Sequence, residues 1–283
     1  MRRLCRRGRY LWPVEKDNRM SLRIATYNIH KGVSGLGRKL RVHELRHALR
    51  SIDADIVFLQ EVQDRNERLA ARRKDYPDGR QVDFLASDHY EHSAYGMNAV
   101  YPHGHHGNAI LSRLRIDHHR NHDISDHTLE QRGLLHAVVE LRAPGRHLPL
   151  HLINVHLGLF KGGRERQARF MIDFVRREIP ESAPLVIAGD FNDWQRRVDM
   201  MLREELGLGE VAAAQPRGPL IERLSPARET PRVARTFPAF MPWLSLDRIY
   251  LRGFSVAQAS VPRGLAWARR SDHAPLIADV SPH

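Results

Sequence analysis

The sequence predicts an α/β fold in which two packed β-sheets are flanked by helices. Two observations support this prediction: short strand patterns outnumber helix patterns along the 283 residues, and polar residues collect where the strand patterns end. Layers of this kind bury the apolar face of each element against another. The length fits one domain, which we expect to cover residues 21–283, because no internal repeat divides the chain.

Strand and helix patterns alternate in the first part of the chain. Residues 22–29 alternate between apolar and polar and predict a strand, whereas residues 40–52 place leucine and isoleucine at helical spacing. The nearly continuous apolar run at 55–59 predicts a strand buried on both faces. Residues 75–107 have weak periodicity and predict mostly loop, apart from a short helix at 82–86.

Strand patterns dominate the rest of the chain. They cover residues 107–112, 134–141, 150–156, 185–188, 246–251, 254–259 and 276–280. Helix patterns cover residues 164–179 and 197–206. The segment from 215 to 231 contains several Pro and Gly residues and predicts a surface loop.

Composition and charge restrict the class of protein. Hydrophobic residues make up 42% and charged residues 28% of the chain, which is ordinary for a soluble globular protein. No stretch approaches the roughly 18 consecutive apolar residues of a membrane-spanning helix. The single Cys5 favours a reducing compartment, so we expect a cytoplasmic monomer, and attachment to the periphery of an anionic membrane remains open.

The net charge is +12, and residues 1–20 contribute seven basic and two acidic side chains to it. This segment lacks the apolar core of a secretory signal. We expect either a disordered basic extension or a chain that biologically starts at Met20. A basic surface attracts nucleic acid, anionic lipid and phosphorylated metabolites alike, so charge alone does not identify the partner.

Polar side chains stand at the ends of the predicted strands or in the turns just after them. They are Asn28, Glu61, Asn154, His156, Asp190, Asn192, Asp272 and His273. A sheet holds functional side chains at such positions. This set contains few acids, several amides and imidazoles, and no cysteine. Such donors suit Mg²⁺, which prefers oxygen ligands and keeps several of its waters.

Seven short motifs occur in a characteristic order. They are TYNIHKG (26–32), LQEV (59–62), GNAILS (107–112), NVHL (154–157), GDFN (189–192), LDRIY (246–250) and SDHAPL (271–276). This series resembles that of the endonuclease/exonuclease/phosphatase superfamily, and within it the small bacterial members marked by TYNIHKG and GHHGNAILSR. The resemblance covers residues 22–280. It implies a four-layer αββα sandwich of the DNase I type and a divalent-metal-dependent phosphoesterase.

The resemblance implies a metal site and a reaction. Glu61 corresponds to the metal carboxylate, with Asn28 beside it and Asp272 as a further or water-mediated ligand for Mg²⁺, for which Mn²⁺ would substitute. Asp190 corresponds to the acid that orients or deprotonates a metal-site water for in-line attack on phosphorus. Asn192 corresponds to the amide that holds phosphate or a metal water.

Further residues carry over as donors and orienting groups. His273 would contact a phosphate oxygen, and Asp247 would orient an imidazole, either that of His273 or that of His156. The substrate-binding candidates are Asn154, Asn108, Arg132, His106 and Arg235.

Each of these assignments has a structural alternative. An isolated Asn28 or Asn154 is typical of a strand end or turn, Asp190 could begin a helix containing Trp194, and Arg132 could bond a backbone carbonyl. Arg235, Phe237 and the loop around Trp243 could line the cleft or simply pack.

Two histidine clusters, 103/105/106 and 118/119/122, have no cysteine or well-placed carboxylate, and we do not expect catalytic zinc there.

The substrate stays open between nucleic acid and a phospholipid or inositol phosphate. The alternative class is a module that binds phosphate ligands on the same fold without catalysis. The intact motif acids and imidazoles argue against that alternative.

Overall fold

Two six-stranded mixed sheets form the frame of the protein. The computed structural model describes residues 21–34, 39–128, 130–143, 146–213 and 232–283. The predictions for residues 1–20 and for the loop at 215–231 therefore fall outside the described residues.

The first sheet combines the two ends of the described chain. Its strands, in chain order, are β1 Leu22–Asn28, β2 Ile56–Asn66, β3 His92–Tyr101, β4 Gly104–Ser112, β13 Phe254–Ser260 and β14 Leu276–Pro282. Their spatial order is β13-β14-β1-β2-β4-β3. β1 and β2 run parallel, and β14 pairs antiparallel with β1. The carboxyl ends of β1 and β2 therefore meet at one edge, beside the turn that leads into β14.

The second sheet comes from the middle of the chain. Its strands are β5 Ile116–Asp123, β6 Gly133–Ala143, β7 Arg146–His156, β8 Leu185–Asp190, β9 Gly209–Glu210 and β12 Asp247–Arg252. Their order is β5-β6-β7-β8-β12-β9, and a separate ribbon pairs β10 Ala212–Ala213 with β11 Arg232–Val233. β7 and β8 are parallel and end together at His156 and Asp190.

Helices cover the outer faces of both sheets. They are α1 Val42–Ile52, α2 Glu67–Arg72, α3 Gln81–Ala86, α4 Lys161–Glu178, α5 Arg197–Leu206 and α6 Leu265–Ala268. Leu45 and Leu49 of α1 and Leu85 of α3 pack on the first sheet, while Ile172 and Phe174 of α4 pack on the second.

A third apolar layer lies between the sheets, where Ile24, Phe58 and Ile110 of the first sheet join Leu152 and Val186 of the second. Helix, sheet, sheet and helix thus form the predicted four-layer αββα sandwich. No helix in the described ranges is long and apolar enough to cross a membrane.

The prediction that residues 75–107 are mostly loop was wrong. Two long strands, β3 and β4, occupy much of that range and pair as a hairpin. β3 is an edge strand with several half-exposed positions, so its sequence lacks a clear apolar alternation.

The second histidine cluster, 118/119/122, lies on the edge strand β5. Edge strands carry polar side chains because one of their sides faces water.

Candidate functional site

The buried carboxylates of Asp190 and Asp247 face each other across two neighbouring strands of the second sheet. Asp190 is the last residue of β8, Asp247 is the first residue of β12, and the two are directly paired in register. The turn before β14 in the first sheet brings His273 to the same place. Since the Ser271 hydroxyl donates to the Asn28 carbonyl at 2.8 Å, this turn is tied to the end of β1.

His273 lies between the two carboxylates. Its Nδ1 is 2.8 Å from Asp247 Oδ2 and its Nε2 is 3.7 Å from Asp190 Oδ2. The structure therefore pairs Asp247 with His273, which the sequence had left open between His273 and His156. All three side chains are almost completely buried, so their interactions take place away from bulk water.

Burial and neighbouring charges shift the pKa values of this group in opposite directions. Burial alone would lower the pKa of His273, but the carboxylates of Asp247 and Asp190 outweigh it and raise the pKa to about 10. Burial raises the pKa of Asp190 to about 6, against the lowering effect of His273. At neutral pH the site thus combines a protonated imidazole with a carboxylate that can still accept a proton.

His156 occupies the other side of Asp190 and has the opposite charge state. Its Nε2 is 3.6 Å from Asp190 Oδ2, yet burial lowers its pKa well below the usual value, and Arg132, His273 and other nearby cations lower it further. Burial also lowers the pKa of His106 to about 4, with Lys31 and Arg132 adding to the shift. His156 and His106 are therefore neutral donors or acceptors next to a cationic rim.

A bulge in β2 directs Glu61 toward Asp190. The pairing of β2 with β4 shifts between Leu59 and Val62, and Glu61 has a φ of 54°, which non-glycine residues seldom adopt. The Asn28 amide lies between the two carboxylates, with Nδ2 3.0 Å from Asp190 Oδ2 and 3.5 Å from Glu61 Oε1.

Asn28 Oδ1 accepts the backbone N–H of His30 at 3.0 Å. In this arrangement the Asn28 side chain organises the carboxylates and turns its oxygen away from them.

Two residues of the TYNIHKG motif contact the candidate metal ligands, although the motif alone had not suggested that role. Lys31 Nζ lies 3.8 Å from Glu61 Oε2, and His30 Nδ1 lies 2.9 Å from Asp272 Oδ2. The hydrogen bond to Asp272 raises the pKa of His30. Both residues have positive φ, and this turn places their side chains over the end of the sheet.

The donor set suits a hard divalent cation. Asp190, Asp247 and His273 offer ligand atoms within 4.8 Å of one another, and Asp247 Oδ1 is buried without a hydrogen-bond partner. A protonated imidazole has no lone pair for a metal, however, and His273 is held in that form. Glu61, whose Oε1 lies 3.5 Å from the Asn28 amide, offers instead the kind of oxygen atom that a hard divalent cation prefers.

The end of β8 and the segment after it are held by close backbone packing and by the hydrogen bonds of Asn192. A Cβ on Gly189 would approach the Val155 carbonyl oxygen to 1.9 Å, so only glycine permits this packing beside Asp190. Asn192 donates its backbone N–H to Asp190 Oδ1 at 3.0 Å and its side-chain N–H to the Leu157 carbonyl at 2.9 Å. The alternative in which Asp190 begins a helix was wrong, because α5 begins only at Arg197.

Asn154 connects the two sheets and does not face the cleft with a free group. Its Nδ2 donates to the carbonyls of Leu59 at 2.9 Å and Ala109 at 2.8 Å, and its Oδ1 accepts from Gln60 Nε2 at 2.8 Å. Since the side chain is completely buried and its donors and acceptor are used, we assign it a structural role in place of substrate binding. Asn108 also reaches the second sheet, donating to the carbonyl of Gly133 at 3.0 Å.

The remaining substrate-binding candidates differ in position. Arg132 and His106 lie close enough to His156 to lower its pKa, which places them at the rim of the cluster. Arg235 is exposed and lies close enough to Arg263 to add to the lowering of that residue's pKa by burial; its role in substrate binding stays a prediction.

Two residues that support the cluster, Thr236 and Arg248, were not predicted from the sequence. The Thr236 hydroxyl accepts the backbone N–H of Asp247 at 3.3 Å, and the Thr236 carbonyl accepts the N–H of Ala274. Arg248 is buried and donates to both the side chain and the carbonyl of Asp193. Thr236 lies in the string ARTFP (234–238) and Arg248 in LDRIY (246–250), but nothing in the spacing of these strings shows which backbone groups the two residues hold.

Comparison with known proteins gives a consistent result. The model of the Endonuclease/Exonuclease/phosphatase family matches residues 25–273. The chain is 39% identical over 269 residues to a protein of Escherichia coli (strain K12) named Uncharacterized protein YbhP, covering 94% of this chain and 98% of that protein.

Solved structures share the fold at lower identity. An endonuclease/exonuclease/phosphatase from Bacteroides vulgatus superposes with a TM-score of 0.68 at 17% identity, covering 93% of this chain and 100% of that one. The human nocturnin catalytic domain, solved with a bound sulfate anion, gives a TM-score of 0.63 at 18% identity, covering 93% and 94%.

Proposed function

The chain belongs to the endonuclease/exonuclease/phosphatase family, and we propose from this that it hydrolyses phosphodiesters with the help of a divalent metal ion. The observation that carries the proposal is the buried contact of Asp190, His273 and Asp247. A proton acceptor and a fixed positive charge, side by side and shielded from water, are what attack on an anionic phosphoryl group requires.

Each side chain has a separate task in the proposed reaction. Asp190 Oδ2 accepts a proton from the attacking water, whose oxygen forms the new bond to phosphorus as the ester P–O bond breaks in line with it. His273 holds a proton on Nε2 and stabilises the negative charge that develops on the phosphoryl oxygens. Asp247 keeps the ring oriented through Nδ1.

We place the cation, Mg²⁺ with Mn²⁺ as a substitute, on Glu61, with Asp272 as a further or water-mediated ligand, which leaves Asp190 free to act as the proton acceptor. When bound, such an ion neutralises phosphoryl charge and lowers the pKa of a coordinated water. Asn28 supports this arrangement because its amide holds the carboxylates of Glu61 and Asp190 at once. Asn192 and the cationic rim of Lys31 and Arg132 would hold the substrate phosphate.

Hydrolysis of bis(p-nitrophenyl) phosphate tests the proposal. We expect turnover in Mg²⁺ or Mn²⁺, none in EDTA, and a loss of roughly 10²–10⁴-fold in Asp190→Asn with an unchanged circular dichroism spectrum. Asp88→Asn, at an exposed carboxylate that pairs with Arg46, is the matched control and should keep full activity.

Full activity of Asp190→Asn would refute the mechanism. The same assay distinguishes an enzyme from a module that binds phosphate ligands without catalysis, since such a module would show no turnover with any metal. A panel of plasmid DNA, RNA, anionic phospholipid and inositol phosphates then identifies the substrate class.

A further inference from the structure

Several large apolar side chains are exposed at the edge of the sandwich that contains the catalytic cluster. They are Leu159, Phe160, Trp194, Phe240, Met241 and Trp243, and 47–74% of each is exposed. They occupy three loops: the one that follows β7, the one that follows β8 and the one that precedes β12. Because Asp190 and Asp247 pair directly and Phe191 donates to the Leu246 carbonyl, the second and third loops begin next to each other.

The loop before β12 is a tight turn with an apolar tip. Phe237 and Leu244 bridge its base, and the N–H of Met241 donates to the Pro238 carbonyl at 3.0 Å. The Phe237 ring packs against the His273 ring at 4.9 Å between centroids. The exposed side chains of Phe240 and Met241 are thus held on an ordered turn whose base touches the catalytic imidazole.

The loops that follow β7 and β8 are also held in place. The guanidinium of the buried Arg164 lies 4.5 Å from the Trp194 ring, and it donates to the carbonyl of Leu159 at 2.6 Å. One buried side chain therefore fixes both loops while Trp194, Leu159 and Phe160 stay exposed. Large apolar side chains that an ordered backbone keeps exposed to water often mark an interaction surface.

The charges around these loops favour an anionic partner. Lys161 directly follows Phe160, Arg235 precedes the turn, and both are exposed. Two of the nearby acids are paired with arginines: Asp193 is buried with Arg248, and Asp126 pairs with Arg166.

We propose that this edge, defined as Leu159, Phe160, Trp194, Phe240, Met241 and Trp243 with their flanking cations, docks on the surface of an anionic phospholipid bilayer. Aromatic and aliphatic side chains together would enter the headgroup and acyl boundary, while lysine and arginine pair with anionic headgroups. A single-stranded nucleic acid is the competing partner, because aromatic rings also stack on bases. The exposed aliphatic Leu159 and Met241 favour lipid, since they have no stacking role.

Docking would bring the catalytic edge against the membrane, and it would therefore direct the proposed phosphodiesterase to substrates at that surface. Binding itself needs no catalysis, so the two proposals can fail separately.

Cosedimentation of the full chain with vesicles tests the docking surface. We expect binding to phosphatidylglycerol vesicles, weaker binding to phosphatidylcholine vesicles and a decrease with salt. The double variants Phe240→Ser/Met241→Ser and Leu159→Ser/Phe160→Ser should each weaken the partition coefficient by about tenfold or more, because two apolar side chains no longer enter the membrane. Phe170→Ser/Met200→Ser removes exposed apolar side chains of α4 and α5 and should bind like the wild type.

Residues 1–20 are present in every variant, so any attraction by that basic segment is common to all. The proposal is wrong if the wild type ignores vesicles of both compositions or if the two docking variants bind as well as the control. It is also wrong if these variants lose binding to single-stranded oligonucleotides and keep binding to vesicles. Hydrolysis of bis(p-nitrophenyl) phosphate, followed in parallel, reports on the catalytic proposal alone.

Discussion

Nδ1 of His273 lies 2.8 Å from Oδ2 of Asp247, and the two side chains come from different sheets. The contact fixes which ring nitrogen faces the second carboxylate: with Nδ1 engaged by Asp247, Nε2 points toward Asp190. Asp247 also raises the pKa of His273 against the effect of burial. One carboxylate therefore sets both the orientation and the charge of the imidazole.

Asp247→Asn should change the pH dependence of hydrolysis as well as its rate. In the wild type, the pKa of about 10 keeps His273 protonated until the pH rises toward 10. Without the Asp247 charge this pKa falls, so the alkaline loss of kcat should move to lower pH. We also expect kcat at pH 7 to fall about 10²-fold. A variant with reduced kcat and an unshifted alkaline limb would show that Asp247 acts only as a structural residue.

Glu61 and Lys31 should have opposite effects on metal affinity. Glu61→Gln removes a proposed ligand and should raise the dissociation constant for Mn²⁺ by about tenfold or more. Lys31→Ala removes the ammonium group that lies 3.8 Å from Glu61 and competes with the metal. The dissociation constant for Mn²⁺ should therefore fall a few fold, about what a partly exposed ion pair contributes. Isothermal titration calorimetry with Mn²⁺ measures both. Equal affinities in all three proteins would place the metal elsewhere.

Asn154→Leu should destabilise the protein because it breaks the connection between the sheets. The change leaves Gln60 Nε2 and the carbonyls of Leu59 and Ala109 without their partner, and we expect a loss of at least about 3 kcal/mol in the free energy of unfolding in urea. Gln258→Leu is the control, because this exposed side chain lies on the edge strand β13, where water solvates its amide. A near-neutral Asn154→Leu would contradict the structural assignment.

The pair His136 and His151 should make stability depend on pH. Their rings stack, with Nε2 and Nδ1 3.1 Å apart. Burial, and then the neighbouring His151 and His118, lower the pKa of His136 to about 4. A folded-state pKa below the unfolded value of about 6.5 means that the contribution is present above pH 6.5 and is lost as the pH falls toward 4.

We therefore expect His136→Phe to remove about 1–3 kcal/mol of the acid-induced loss of stability, measured by urea unfolding between pH 7 and pH 4. The exposed His47 provides the control His47→Asn, whose pH dependence should match the wild type. Identical acid sensitivity in His136→Phe and the wild type would assign the effect to other groups.

Periodicity predicted the elements whose burial follows a simple pattern. The helix at 197–206 has the predicted limits, and the strand predicted at 185–188 is observed as Leu185–Asp190. β3 and β5 were missed because edge strands need no regular apolar face. β2 extends seven residues past the predicted end at Leu59, since its bulges interrupt the alternation that a regular strand would show.

The motif order predicted which polar residues meet, and the structure brings Asn28, Glu61, Asp190, Asp247 and His273 to one place. It did not predict what each side chain does there. Asn154 and Asp190 both lie at or near the end of a motif strand. Only Asn154, however, donates its amide hydrogens to backbone carbonyls of the other sheet. That difference depends on distances between the layers, which no spacing along the chain encodes.

The two carboxylates at the centre belong to one sheet, whereas Asn28, Glu61 and the turn that bears His273 belong to the other. The distance between these groups therefore depends on the thickness of the apolar layer between the two sheets, which includes small residues such as Ala137 and Ala188. A larger side chain in that apolar layer, far from any motif, would increase the distance between Asp190 and His273. The volume of the interior thus sets the geometry of this cluster as much as its acids do.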